Sequence, residues 1–283
     1  MAQNRCDSDT DSKVWMKEEI ICLCIFMPWV DYTQGFFVRG APMKERFANI
    51  WALVQENVTF VLISLAIIAG LAIVAKIAQR FLPGMRKVSP ARKITITAIC
   101  AALAAVLHIL DFSIPFLAPE FYKLDFSELP VMLCGFYLGP AAAVYCEAVK
   151  ILLKLLLKGT TTAFVGDFAN FCVGCSLVLP AVIIYHTKKN KKTALWGLIA
   201  GTLVLTVFGS AFNAFYLLPK FAELYKWPLD EIIALGTKIN PRINSITTFV
   251  LFAVAPLNLI KGVSVSVLTL LLYKKVARPL FGK

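Results

Sequence analysis

Asn258 and Lys261 lie one helical turn apart inside the apolar run APLNLIKGVSVSVLTLLLYKK. An ionisable side chain within a membrane span is costly, so by default it marks a binding or transport site. Other polar residues interrupt neighbouring apolar runs: Asp167 and Asn170 in FVGDFANF, and Asn213 in AFNAFYLLP. Carboxylate, amide and ammonium groups on separate helices give a planar polar ligand donors and acceptors in fixed positions. None of these residues forms a nucleophile–base pair or a metal-ligand cluster.

Such a site requires helices that cross a bilayer. The chain has 283 residues, of which 59% are hydrophobic and 16% charged, with several apolar runs of near-spanning length. That balance indicates a helical integral membrane protein; a barrel would show period-two alternation. Residues 1–57 are polar and interrupted by prolines, and read as an N-terminal extension. Met43 opens MKERFANIWALV and would serve as a start, making residues 1–42 an upstream segment. Seven spans then follow: about Val58–Gln79, Ile94–Leu110, Leu129–Leu138, Ala141–Leu157, Ala163–Tyr185, Leu195–Leu218 and a last one to Tyr273. For the last, Pro256 offers a helix start, with Ile243–Ala255 as a separate outer segment. Residues 80–93 form a basic linker and residues 276–283 a tail.

The net charge is +12, but the basic residues cluster at span ends, where they set topology and meet anionic lipid rather than nucleic acid. The linker, the Lys188–Lys192 turn and the tail fall on the cytoplasmic side. Lys261, five residues past Pro256, then lies about 7–8 Å below the outer end of its helix. Asn213 reads to a similar depth, and Asp167 and Asn170 lie near the outer start of theirs. The competing interpretation is interhelical glue, with Lys261 neutralising Asp167. The convergence on one layer favours a pocket open to the outside.

Glu147 and Lys150, at i and i+3, read as a local ion pair, and Lys154 and Lys158 as lysines snorkelling outward. His108 reads as a satisfied interfacial residue. Cys172-x-x-Cys175 lacks a second pair or a nearby histidine, so it reads as packing and not as a metal or redox site. There is no P-loop, H-E-x-x-H or G-x-S-x-G, and the chain has only two histidines. Most enzyme mechanisms therefore lack parts. Ala98 and Ala102, and equally Ala101 and Ala105, repeat at the spacing that lets membrane helices approach closely.

From about Ala91 to Lys275 the chain resembles the riboflavin-specific S-components of energy-coupling factor (ECF) transporters. The matching blocks are IPFL, KLDFSELPVMLCGFYLGPAAAVYCEAVKILLKLL, GDFANFCVGCSLVLPAVIIY, AFNAFYLLP, APLNLIKG and LLLYKK. The resemblance implies a six-helix bundle over residues 94–275, here preceded by one extra N-terminal transmembrane helix at 58–79. It implies riboflavin as the transported ligand, a membrane coupling subunit and two cytoplasmic ATPases as partners, and no catalytic chemistry in this chain. It also implies that Asn213, Asn258 and Lys261 contact the ligand, that Lys123, Leu124, Asp125 and Phe126 belong to a lid, and that Ala98/Ala102 docks the coupling subunit. Where Asp167 stands the family commonly has glutamate. No role follows for the long 219–246 connection.

Rival interpretations keep the class and change the ligand, to FMN or another vitamin such as folate, or change the class. FMN would add about two negative charges, for which Lys123 or Lys220 stands near the mouth. An intramembrane enzyme would need Asp167 and Glu147 close together. A membrane scaffold would bind no chromophore.

Overall fold

The computed structural model describes residues 43–83, 88–160, 162–226 and 228–281. Helix α1 is Met43–Glu56 and α2 is Val58–Phe81. Thus the C-terminal part of the expected polar extension is helical, whereas residues 1–42 lie outside the described residues. A division of the chain between Asn49 and Ile50 falls within α1.

The remainder builds a bundle: α3 (Pro90–Ile109), α4 (Glu128–Leu138), α5 (Pro140–Lys158), α6 (Val165–Lys188), α7 (Lys191–Phe212), α8 (Leu218–Tyr225), α9 (Leu229–Ile239), α10 (Ile246–Phe249) and α11 (Ala255–Phe281). Five described helical segments are long and apolar enough to cross a membrane. Among the described residues the fold is all-α apart from a two-residue antiparallel ladder, β1 (Phe112–Ser113) with β2 (Lys123–Leu124).

Helix α4 is too short to span, at about 16 Å for its 11 residues. It is apolar nearly all round and is accordingly buried in the bundle centre, between α3, α5, α6 and α11. Gly139, at φ 105°, takes a backbone conformation that other residues rarely adopt, and Pro140 opens α5 immediately after it. Asn190 caps α7 and exchanges bonds with Thr193. A Cβ added to Gly197 or Gly201 would lie 2.5 Å from the Ala181 carbonyl or 2.4 Å from that of Leu177. These two glycines therefore let α7 lie against the backbone of α6, as small residues do between membrane helices.

The structure corrects the expected ending of the bundle. Ile243–Ala255 is not a separate outer segment: α10 passes through a π-helical turn, Val250–Val254, straight into α11. A matching π turn, Asn213–Leu217, joins α7 to α8. Each is followed by one residue and then proline, Leu218-Pro219 and Ala255-Pro256. The amides of Leu218 and Ala255 bond five residues back, to Asn213 and Val250. This wider turn relieves the clash between a proline ring and the preceding carbonyl and lets the helix continue. Measured from Ile246, Lys261 is about 22 Å along its helix, much farther in than the 7–8 Å counted from Pro256.

The connection read without a role, 219–246, contains α8 and α9. With the 114–126 loop it makes an outer apolar core in which Tyr122 and Leu124 pack with Leu218, Ile232, Ile243 and Phe249. Helix α2 lies on α5 and α6 through Ala75, Ile68 and Phe60, whose ring meets Phe168 edge-on at 5.8 Å. Gln79 Oε1 accepts the Ala141 N–H, one of the free amides opening α5.

Candidate functional site

Helices α7 and α11 position the central amides. The Asn258 side chain packs where a Cβ on Gly209 would stand, 2.7 Å from its Nδ2, so glycine at 209 makes the space. Further inward Thr202 and Ser266 bond at 3.1 Å, and the two helices run together along that line. Asn213 follows Gly209 by one turn at the start of its π segment. Its Nδ2 donates to the Gly209 carbonyl at 2.8 Å, and its Oδ1 accepts the Tyr122 hydroxyl at 2.8 Å. Asn258 Nδ2 is buried with no hydrogen-bond partner among the described residues.

Lys261, only 7% exposed, joins the 114–126 loop to the bundle. Its ammonium donates to Asp125 Oδ2 at 3.2 Å and lies 3.0 Å from Glu128 Oε1. Asp125 Oδ2 also meets His108 Nδ1 at 3.2 Å, and its Oδ1 accepts the Ser127 N–H at 2.8 Å. Glu128 lies 3.5 Å from Lys150, which pairs with Glu147 and donates to Ser127 Oγ at 3.0 Å. A Cβ on Gly174 would fall 2.3 Å from Glu147 Oε1, so α6 leaves room there for the carboxylates. Three carboxylates, two ammoniums and an imidazole thus form one buried chain of charge. Burial raises the Asp125 carboxyl, but Lys261, with His108 and Lys150, outweighs this and holds it well below its ordinary value.

Several sequence expectations change here. Lys261 does not neutralise Asp167: its carboxylates are Asp125 and Glu128, while Asp167 takes Lys154 at 2.6 Å. Lys154 and Lys158 are not free snorkels, since Lys158 sits 3.0 Å from both Asp111 oxygens. Glu147–Lys150 is the expected i,i+3 ion pair of α5, and it is also a link in the larger chain. His108 is satisfied, by Asp125, and is buried rather than interfacial. Asn170 donates to the Gly166 carbonyl of its own helix at 3.1 Å. Asn213, Asn258, Lys261 and the loop residue Asp125 therefore come together, while Asp167 and Asn170 bond elsewhere.

Tyr122 and Glu128, which contact Asn213 and Lys261, were not among the sequence candidates. Glu128 had a signal, a carboxylate at the start of a short apolar helix. Tyr122, a single aromatic in an irregular loop, had none. On α3, Ala101 and Ala105 are buried in the bundle, whereas Ala98 and Ala102 are exposed.

Residues 92–273 match the family model "ECF transporter, substrate-specific component". The chain belongs to this family. It is 37% identical over 186 residues to riboflavin transporter RibU of Staphylococcus aureus (strain TCH60), covering 66% of this chain and 90% of that one. To riboflavin transporter FmnP of Bacillus subtilis (strain 168) it is 28% identical over 186 residues, covering 65% and 92%. A solved structure described as the S component of a bacterial ECF transporter superposes with a TM-score of 0.54 at 31% identity, covering 69% of this chain and 100% of that chain. As an ECF S-component the protein is a multi-pass substrate-binding subunit of the bacterial plasma membrane, not an enzyme, and it works with ECF membrane and ATPase modules. Helix α2 precedes the matched stretch.

Proposed function

We propose that this S-component binds riboflavin from the outer side and releases it inward when its coupling partners reorient it. The observation that carries the reading is the meeting of Asn213, Asn258 and Lys261 beneath the lid, with the Asn258 amide nitrogen buried and without a hydrogen-bond partner among the described residues. A polyol chain offers hydroxyls that both donate and accept, which suits two amides and an ammonium. The apolar outer core around Phe249 and Leu257 suits a flat ring system. The relatives' names point to the same ligand.

FMN is less well served. Of the two lysines near the mouth, Lys123 lies 3.4 Å from Asp111 and Lys220 2.6 Å from Glu223, so each already faces a carboxylate. Asp167 and Asn170 then serve helix packing and not the ligand. For partners, the proposal is a transmembrane coupling subunit with two ATPases, docking through Ala98 and Ala102. Of the two alanine registers, that pair is the exposed one.

Equilibrium titration in detergent, read by quenching of flavin fluorescence, tests the site. Asn213→Ala and Lys261→Ala should each weaken binding by about tenfold or more, the equivalent of about 1.5 kcal/mol for a lost buried partner. Wild-type affinity in both variants would refute the assignment. Visible flavin bands in the protein as purified would support the ligand.

A further inference from the structure

The lid makes the very bonds that a ligand would need. Tyr122 gives its hydroxyl to Asn213 Oδ1 at 2.8 Å, and Asp125 takes the Lys261 ammonium at 3.2 Å. We propose that Tyr122 and Asp125 act as an internal competitor, occupying Asn213 and Lys261 so that ligand binds only by displacing them. The inference rests on the riboflavin reading of this site and adds the residues that set its apparent affinity.

The competing contacts are built, not incidental. Tyr122 is 9% exposed; its ring lies 4.7 Å from Phe121 and 6.1 Å from Phe249. The same outer core holds it through Leu218 of α8 and Ile232 of α9. Burial pushes the phenol pKa up, so Tyr122 stays a protonated donor. The β1–β2 ladder fixes the loop's base, pairing Phe112 with Leu124 and Ser113 with Lys123. Asp125 is anchored from three sides, by His108, Lys261 and the Ser127 amide.

Competition has a defined thermodynamic sign. If the lid-occupied state predominates, the measured Kd equals the intrinsic value divided by the fraction of molecules whose Asn213 and Lys261 are released. Weakening a lid bond raises that fraction and tightens binding. Weakening a bond to the ligand does the reverse. Tyr122 is thus expected to move affinity in the direction opposite to its own partner, Asn213.

Riboflavin titration of full-length Tyr122→Phe and Asn213→Ala in detergent tests this. One net hydrogen bond predicts about 2- to 12-fold tighter binding for Tyr122→Phe, while Asn213→Ala binds more weakly. Unchanged or weaker binding by Tyr122→Phe, with Asn213→Ala still impaired, would overturn the competition and leave the riboflavin site standing. Wild-type binding by Asn213→Ala and Lys261→Ala would instead remove the site itself, and this inference with it. Should Tyr122→Phe not fold, 3-fluorotyrosine incorporated in place of Tyr122 gives a second readout. Its fluorine resonance should shift as riboflavin saturates the protein, and a resonance that stays in place at saturation overturns the displacement.

Discussion

Replacing Lys261 by methionine tests the charge chain independently of any ligand. The ammonium lies 3.2 Å from Asp125 and 3.0 Å from Glu128, and all three residues are under a tenth exposed. At an effective dielectric of about 20, each contact is worth about 5 kcal/mol of Coulomb attraction before desolvation. What the variant loses is governed by the carboxylates left behind, and breaking a buried pair costs about 3–5 kcal/mol. Neither carboxylate is left bare, because His108 remains 3.2 Å from Asp125 and Lys150 remains 3.5 Å from Glu128. The expected loss is therefore at the lower end, about 3 kcal/mol. Adding Asp125→Asn removes one stranded charge and should recover a third or more of that loss. Denaturation in detergent without riboflavin gives the four corners of the cycle, and the coupling between positions 125 and 261 should exceed about 1 kcal/mol. The single variant should also recover at mildly acidic pH, where a buried carboxylate that has lost one of its cations takes up a proton more readily. A Lys261→Met protein as stable as wild type, or a coupling near zero, would show that this lysine does not tie the 114–126 loop to the bundle.

Asp167→Asn breaks the 2.6 Å pair between α6 and Lys154 of α5. It should cost about 3 kcal/mol in a melt, the low end for a buried pair, while leaving riboflavin affinity within about twofold; a tenfold loss of affinity would return Asp167 to the ligand set. Gly201→Leu places a side chain where even a Cβ lies 2.4 Å from the Leu177 carbonyl. Because the obstacle is backbone, a loss of about 3 kcal/mol is expected, at the top of the overpacking range, checked by the same melt. Ala75→Leu on α2, where alanine is 1% exposed against α5 and α6, should cost about 1–3 kcal/mol without altering riboflavin binding. For pH, the lowered Asp125 value means that its stabilising contribution is complete above the ordinary carboxylate pKa and is lost as pH falls through the lowered one. The stability gap between wild type and Asp125→Asn should therefore still be present at about pH 5 and close only below the ordinary value of about 4.

What could be read in the chain follows the physics of the bilayer. Within hydrocarbon the backbone must satisfy itself, so spans declare themselves by length and apolarity. The same constraint makes each polar intruder conspicuous, which is why Asn213, Asn258 and Lys261 stood out. It says nothing of which carboxylate an ammonium finds. Lys261 is separated by 136 residues from Asp125, and only the packing of α4 and the 114–126 loop against α11 selects that partner over Asp167. Above the membrane the backbone has water and irregular partners available, and the pattern weakens. Tyr122, the α8–α9 connection and the β1–β2 ladder all lie in such connections. The prolines show a third limit. Pro256 looked like a helix start because proline suits a first turn, yet a π turn before it satisfies the same stereochemistry inside a continuous helix. Pro219 stands in the same relation to Asn213. One local preference thus had two structural solutions, and the choice between them is made by what the widened turns carry. The residues one helical turn inward or at the opening of these turns, Asn258 and Asn213, are those that face the lid and the Gly209 surface. Breaks in helical regularity and buried site polarity coincide because both require a place where neighbouring side chains, rather than the helix alone, complete the hydrogen bonding.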